Sequence, residues 1–196
     1  METRPLREVA TIIAGTDLKR LRGPGAREEF PVITLKDVGR SLSPLDTLSR
    51  VEASRSEIVR YRVQTGDIIV NTRGMDIRAA VAQDTHAGVA IGPNLVAIRP
   101  EGIIEPVLIA AFLREPLTQA QLLRHTAGAS TPGFTIKTLG ALSIRIPSLE
   151  RQRMLVSFIA AADAHRQALM AAVHLRERAC ADLIADELLP REAVDG

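Results

Sequence analysis

The stretch FTIKTLGALSIRIPSLERQRMLV, from Phe134 to Val156, carries a β-type run, Ala141 to Ile146, that stops at Pro147 and hands over at once to a charged helical pattern. The alternation in ALSIRI fits a sheet, and a proline cannot donate to the ladder that would extend it. Ser148 is placed to cap a helix, Glu150 and Arg151 fall in its first turn, and neither Pro nor Gly interrupts the chain until Pro190. About 40 residues at 1.5 Å each make a helix of roughly 60 Å, longer than a domain of this size can cover. The chain is therefore expected to leave a globular domain, residues 1–147, and enter a long helix, residues 148–190, with a frayed tail over 191–196.

That helix needs a partner for its free length. Its inward stripe comprises Leu155, Phe158 or Ile159, Ala162, Leu169, Ala172 or Val173, Cys180, Leu183 and Leu188, a seam with an imperfect heptad period. Alanines at 161, 162, 164, 168, 171 and 172 would let a second helix approach closely. A coiled-coil contact with another chain is expected, with Leu155, Ile159, Ala162, Leu169, Val173 and Leu183 in the seam. The competing arrangement is a terminal helix folded back on its own domain.

Upstream, Leu6 to Ile13 suggests a short element, FPVITL (Phe30 to Leu35) a strand, and Lys36 to Arg40 its polar exit. GDIIVNT (Gly66 to Thr72) is a second strand-like run, with a turn-prone Arg73-Gly74 after it; Arg78 to Gln83 and Asn94 to Arg99 are further candidates. From Pro106 to Thr126 the period becomes helical, with Pro116 marking a break between two short helices. HTAGASTPGFT (His125 to Thr135) reads as a surface loop. The fold class expected is mixed α/β (α+β): one compact domain with a small β-rich sheet and a helical cover, followed by a long C-terminal coiled-coil helix.

Composition narrows the function. A chain of 196 residues at 46% apolar can bury one core of ordinary size with an appendage. Aromatics are 3% with no Trp, which leaves little material for stacking single-stranded bases. The lone Cys180 cannot form an internal disulfide, the start METRPLREVA is charged, and no run of 18 apolar residues occurs, so a cytoplasmic location is expected. The net charge of +2 is uneven: residues 1–80 carry 14 Lys+Arg against 11 Asp+Glu, whereas residues 150–196 carry 6 against 8. The densest basic cluster, LKRLRGPGAR, sets Lys19, Arg20, Arg22 and Arg27 around the turn-forming Gly23, Pro24 and Gly25. All but three of the basic residues are Arg, whose planar fork bonds phosphate or guanine edges bidentately. Contact with nucleic acid and an ordinary solvated surface both account for this pattern.

Several motifs follow one another in a telling order: Gly66-Asp67-Ile68, Arg73-Gly74, Gly92-Pro93-Asn94-Leu95, Arg99-Pro100, Ala129-Ser130-Thr131-Pro132, Leu139 and Leu142, Ile146-Pro147, and Leu149-Glu150-Arg151-Gln152. In this order they resemble the target-recognition unit of type I restriction-modification specificity subunits, over nearly the whole chain. A standard subunit of that family looks like two such domains and two long helices, so this chain resembles half of one. The resemblance implies sequence-specific binding of double-stranded DNA without catalysis, in company with a DNA methyltransferase subunit and, in a full complex, a motor-nuclease subunit. AdoMet, ATP and Mg²⁺ would then belong to those partners, and no cofactor to this chain. Two copies, or this chain and another half subunit, would restore the two-domain arrangement and read two separated half-sites.

The resemblance also implies that loops of the domain enter the major groove while other basic residues hold phosphates. On that basis the candidate contacts are Lys19, Arg20 and Arg22; Arg73, Met75 and Arg78 on the loop after the GDI strand; and Ser130, Thr131 and Lys137 around the second loop. Lys36 and Arg40 rank behind them. For Arg73 a structural bond to a carboxylate or a carbonyl is an equal reading, and Gly66, Gly74, Gly92 and Asn94 are expected to hold turns. An alternative function is a stand-alone coiled-coil DNA-binding or scaffold protein, or a decoy that binds the methyltransferase.

Enzymatic signatures are lacking. Gly92-Pro93-Asn94 has neither the order nor the aromatic neighbour of an Asn-Pro-Pro catalytic turn, and no Gly-rich cofactor loop occurs. Asp67, Asp76 and Asp84 have no Lys nearby of the kind a nuclease uses, and the histidines at 86, 125, 165 and 174 have no Cys or His at ligand spacing, so no metal site is expected.

Overall fold

The computed structural model describes residues 2–18, 25–124 and 132–188. The chain divides into two compact units, Met1–Gln152 and Arg153–Gly196.

The first unit is built on β2 (Ala10–Ala14), β5 (Ile68–Asn71), β6 (Ala79–Val81) and β8 (Leu95–Pro100), hydrogen-bonded in the order β2-β8-β5-β6 with every pairing antiparallel. All four side chains of β5 are buried. Successive strand side chains point to opposite faces, so this strand is covered on both sides and reads as the unbroken apolar run Ile68-Ile69-Val70. On one side Ile69, Ala80 and Ala97 join a core with Ile33, Val63 and Ile91. The helix α2 (Pro106–Arg114) packs against β5 and β6 and buries Leu108, Ile109 and Leu113.

A second sheet, in the order β4-β3-β7, is formed by β3 (Arg27–Ile33), β4 (Ser49–Ser54) and the two-residue β7 (Ala90–Ile91). Sequence propensity ends β3 at Phe30 on its N-terminal side and does not mark β4, because Arg27-Glu28-Glu29 and Ser49-Arg50 are poor strand formers. Cross-strand ion pairs supply what propensity lacks: Arg50 Nε meets Glu29 at 3.2 Å and, from the α1 turn (Arg55–Ile58), Arg55 Nε meets Glu28 at 3.0 Å.

The run ALSIRI contributes β9 (Ser143–Ile146), which pairs antiparallel with β1 (Glu2–Pro5) in a sheet of its own, outside the central one. The helical block resolves into α2 and α3 (Pro116–Leu123), each with a proline in its first turn, where the missing N–H costs nothing. A short α4 (Ile136–Gly140), capped by the Thr135 side chain accepting from Thr138 N–H, precedes β9. The long helix is α5 (Leu149–Leu188), 40 residues, started by Ser148, whose carbonyl accepts from Gln152 N–H at 2.8 Å.

Gln152 is the one residue of α5 that is buried. Its Nε2 donates to the carbonyls of Ile103 and Pro147, both at 3.0 Å, and its Oε1 accepts from Glu105 N–H at 2.9 Å. The first turn of the helix is thereby bolted to the loop that enters α2. Among the described residues no helix is long and apolar enough to cross a membrane.

The sequence motifs Gly66-Asp67-Ile68 and Arg99-Pro100 prove to be two halves of one structure. Arg99 donates Nε to Asp67 Oδ1 at 2.9 Å and Nη2 to Oδ2 at 2.8 Å, and Oδ2 also accepts from Gln64 N–H at 2.8 Å. Asp67 is 1% exposed, and hydrogen bonding to it raises the Arg99 pKa above the usual arginine value. Removing one member of a buried pair strands the other charge in a low dielectric. Arg99→Met is expected to lower the free energy of urea unfolding by about 3 kcal/mol, and the double variant Asp67→Asn/Arg99→Met to lose less, since no unpaired carboxylate remains.

Candidate nucleic-acid interface

One edge of the central sheet collects the loops that carry the candidate residues. At this edge β2 ends, β5 ends, β6 begins and β8 begins, as the pairings Ala14 with Val96, Asn71 with Leu95 and Val70 with Ala79 establish. Backbone hydrogen bonds tie the emerging loops to one another. Gly15 N–H donates to Leu95 O at 2.9 Å, Thr72 N–H to Asn94 O at 2.9 Å, Gly74 N–H to Pro132 O at 2.8 Å, and Phe134 N–H to Thr72 O at 3.1 Å. Gly92 N–H donates to Ile33 O at 2.8 Å, which brings the end of β3 to the same place. The approach is close enough to exclude side chains: a Cβ on Gly15 would strike the carbonyl of Gly92, and one on Gly92 would lie 2.9 Å from Ile33 O.

Asn71 organises the loop between β5 and β6. It is 1% exposed, donates Nδ2–H to the carbonyls of Arg73 at 2.8 Å and Asp76 at 2.9 Å, and accepts from Arg78 N–H at 2.6 Å through Oδ1. Three bonds from one buried amide close residues 72–78 into a fixed loop. The loop presents Met75, 70% exposed, and Arg73 outward, while Arg78 is half-buried at its return. Arg73 makes a backbone bridge to Gly133, and its guanidinium meets no carboxylate among the described residues. Sequence reading singled out Arg73, Met75 and Arg78 and passed over Asn71. Its signal is an asparagine closing an apolar strand run, since an amide there must find partners.

Lys36 is exposed on the 3-10 turn Leu35–Asp37, which Asp37 closes by accepting from Thr34 N–H and Oγ1–H at 2.9 and 2.6 Å. Arg40 follows it, its carbonyl held by Arg114 Nη1, which also reaches Ala79 O at the start of β6. Lys137 is exposed on α4, three residues beyond Phe134. The edge thus gathers Arg73, Met75 and Arg78 on one loop and brings Lys36, Arg40 and Lys137 in on neighbouring segments. Lys19, Arg20, Arg22, Ser130 and Thr131 lie outside the described residues. Leu18 is buried in a cluster with Val32, Val51 and Ile58, and the Pro132 carbonyl accepts from Gly74 N–H. A groove of about 340 Å³ beside the edge is lined by Thr16, Asp17, Val32, Arg50 and Pro93, among others.

The arrangement offers guanidinium, ammonium and thioether groups on a rigid frame, which suits recognition of an anionic, hydrogen-bonding partner. Away from this edge, buried polar groups are likewise engaged in holding loops. Asp67 serves Arg99, and His86 accepts from Gln83 N–H at 3.2 Å and, through Nε2, bonds the Ser43 carbonyl at 3.1 Å. Among the described residues no three of His, Cys, Asp and Glu stand together as a metal site would require.

The family model for the type I restriction modification DNA specificity domain matches residues 1–174. The chain belongs to this family. Among solved structures, the specificity domain resembles a chain from a structure of type I R-M complex assembly and conformational transition, at 21% identity and a TM-score of 0.64 over 93% of this chain. It is also similar to the HsdS subunit from Thermoanaerobacter tengcongensis (20% identity, TM-score 0.58, 87% of this chain) and to the type I S subunit from M. genitalium (11%, 0.53, 90%). Among curated protein sequences none matches. The chain spans 43%, 39% and 42% of those three solved chains, about two-fifths of each. The likeness supports the mixed α/β fold with its long C-terminal helix.

Loss of the Asn71 side chain would strand three backbone groups beneath the 72–78 loop. Asn71→Leu is expected to cost about 2–4 kcal/mol and to make the Arg78 amide exchange with solvent far faster, read by hydrogen exchange. An Arg78 amide as protected as in the unaltered chain would show that the loop does not depend on Asn71.

Proposed function

We propose that this specificity domain binds double-stranded DNA through the sheet edge formed by residues 15–18, 34–40, 72–78, 92–94 and 132–137, reads base edges with the 72–78 loop and its neighbours, and itself carries out no catalysis. The observation that carries this reading is the convergence of loops bearing Arg73, Met75, Arg78, Lys36 and Lys137 at one edge, held rigid by Asn71 and by bonds between the loops. Methyl transfer from AdoMet, and chemistry that uses ATP and Mg²⁺, then belong to a methyltransferase subunit and a motor-nuclease subunit with which the domain assembles in the cytoplasm.

The helix α5 is the surface for assembly. Beyond Gln152 none of its described residues is buried; Phe158 is 74% exposed, Leu169 55% and Leu183 66%. The seam proposed from Leu155, Ile159, Ala162, Leu169, Val173 and Leu183 suits a second copy in antiparallel orientation. Its first half carries Arg151, Arg153 and Arg166 against Glu150 and Asp163, and its second half Glu177, Asp182, Asp186 and Glu187 against Arg176 and Arg178, so antiparallel pairing sets halves of opposite net charge side by side. A pair of domains so joined reads two half-sites related by a dyad. Another recognition unit of the same kind would fill the same place.

Selection of bound duplexes from a random pool should enrich a motif in two separated parts, and the absence of any enriched motif would remove the DNA-reading assignment. In light scattering at about ten micromolar, the chain is expected at twice its mass of 21.2 kDa, and Leu169→Glu/Val173→Glu at the mass of one chain with its helix content kept. A single-chain mass for the unaltered protein would exclude the homodimer and leave pairing with a different unit.

A further inference from the structure

A second cationic feature lies at the opposite end of β5 from the reading edge. After α1 the chain makes a 3-10 turn, Val59–Tyr61, and Arg60 and Arg62 flank Tyr61 there. Neither guanidinium meets a carboxylate among the described residues. Arg60 instead lies over the Tyr61 ring, 5.5 Å from its centroid, and Arg62 over the Phe30 ring at 5.8 Å. A chain with four Phe and one Tyr commits two of these five rings to holding adjacent arginines.

Arg62 Nε is buried and has no hydrogen-bond partner, the only buried side-chain nitrogen or oxygen among the described residues in that condition. Such a donor calls for an acceptor, supplied by ordered water, an ion or a ligand. Both arginines line an open groove of about 580 Å³ together with Arg99, Gln64, Thr65 and Gly88. Asp67 neutralises Arg99, so two positive charges remain uncompensated, with the Thr65 hydroxyl and the Gln64 amide beside them as further donors.

We propose that this groove is a phosphoryl-oxyanion site and that its occupant is a backbone phosphate of duplex DNA. The proposal rests on the DNA-binding reading above and adds to it a contact that holds rather than reads. One carboxylate is satisfied by a single guanidinium fork, as Asp67 is by Arg99. Two adjacent forks, ordered in advance by stacking, match the several oxygens and repeated charge of a phosphate backbone. From Asp67 to Thr72 the strand advances roughly 17 Å. A duplex carries a backbone charge about every 1.7 Å of its axis whatever its sequence, so one that spans this distance from the reading edge has phosphates to offer at the groove. This contact would add affinity without discrimination.

The test is the salt dependence of binding of the full chain to a mixed-sequence duplex of about 30 base pairs, alongside thermal unfolding. The comparison is between Arg60→Gln/Arg62→Gln and Arg4→Gln/Arg55→Gln, which removes the same charge from arginines that already face Glu2 and Glu28. Each phosphate contact contributes about 0.9 to the slope of log K against log salt. The first pair is therefore expected to flatten that slope by about 2, the second to leave it nearly unchanged, and Arg60→Lys/Arg62→Lys to restore it. Should the first pair fail to fold, the exposed Arg60→Gln alone is expected to flatten the slope by about 1.

Equal flattening in both pairs, or unchanged slopes in both while the unaltered chain binds, would overturn the proposal. Saturable binding of inorganic phosphate that depends on Arg62, with unchanged slopes, would assign the groove to a free anion and overturn the DNA occupant. Failure of the unaltered chain to bind any duplex at low salt would instead remove the DNA-binding reading, and this site's occupant with it.

Discussion

Burial of β5 on both faces is the constraint from which the rest of the domain follows. A strand enclosed by a sheet on one side and α2 on the other has no water to satisfy the polar groups at its ends. Ile68, Ile69 and Val70 are buried without cost, but Asp67 at the entrance and Asn71 at the exit must be matched within the protein. Asp67 does so with Arg99 and Gln64 N–H, which fastens the entrance of β5 to the end of β8. Asn71 does so with three backbone groups of the following loop. Loop geometry at both ends of the strand is thus the outcome of satisfying two buried side chains.

This division of labour suits a recognition domain. The amide of Asn71 bonds only main-chain atoms of residues 73, 76 and 78, so the frame constrains the loop's backbone while leaving side chains such as Arg73 and Met75 free to take other identities. Fixed backbone under exchangeable side chains is what sequence reading by hydrogen bonds to base edges requires. The long helix obeys a different economy. Beyond Gln152 it holds itself together with alanine-rich helix propensity and with local pairs such as Asp163 with Arg166 at 3.6 Å and His174 with Glu177 at 3.3 Å. Such terms are small, and an apolar face left in water is the larger unsatisfied quantity.

Some elements were legible because their signals are local. Pro147 and Ser148 mark the end of one strand and the start of α5, and Pro116 divides α2 from α3, through backbone restrictions that act within a few residues. Others were obscured. The strand β4 alternates apolar Val51 and Ala53 with Arg50 and Glu52, a period-2 pattern too weak in apolar content to stand out, and the charges of the hairpin are matched by the ion pairs of Arg50 with Glu29 and of Arg55, just past β4, with Glu28. ALSIRI was readable as a strand, yet its partner is the N-terminal Glu2–Pro5. Strand propensity says nothing about which edge a strand will find.

By itself the sequence determined the kinds of elements, their approximate limits, the 40-residue helix that outruns its domain, and the ordered motifs by which the chain resembles its family. Each of these depends on neighbours close along the chain or on a pattern that can be counted. Only the tertiary structure decided that Gly66-Asp67 and Arg99 are one ion pair, that Asn71 frames the 72–78 loop, that Gln152 roots α5 against residues 103–105, and that loops from five parts of the chain meet at one edge. Arg99 and Asp67 are 32 residues apart, and Gln152 and Ile103 are 49. A buried polar group takes whichever partner the packing delivers to it, and no spacing in the sequence records that choice.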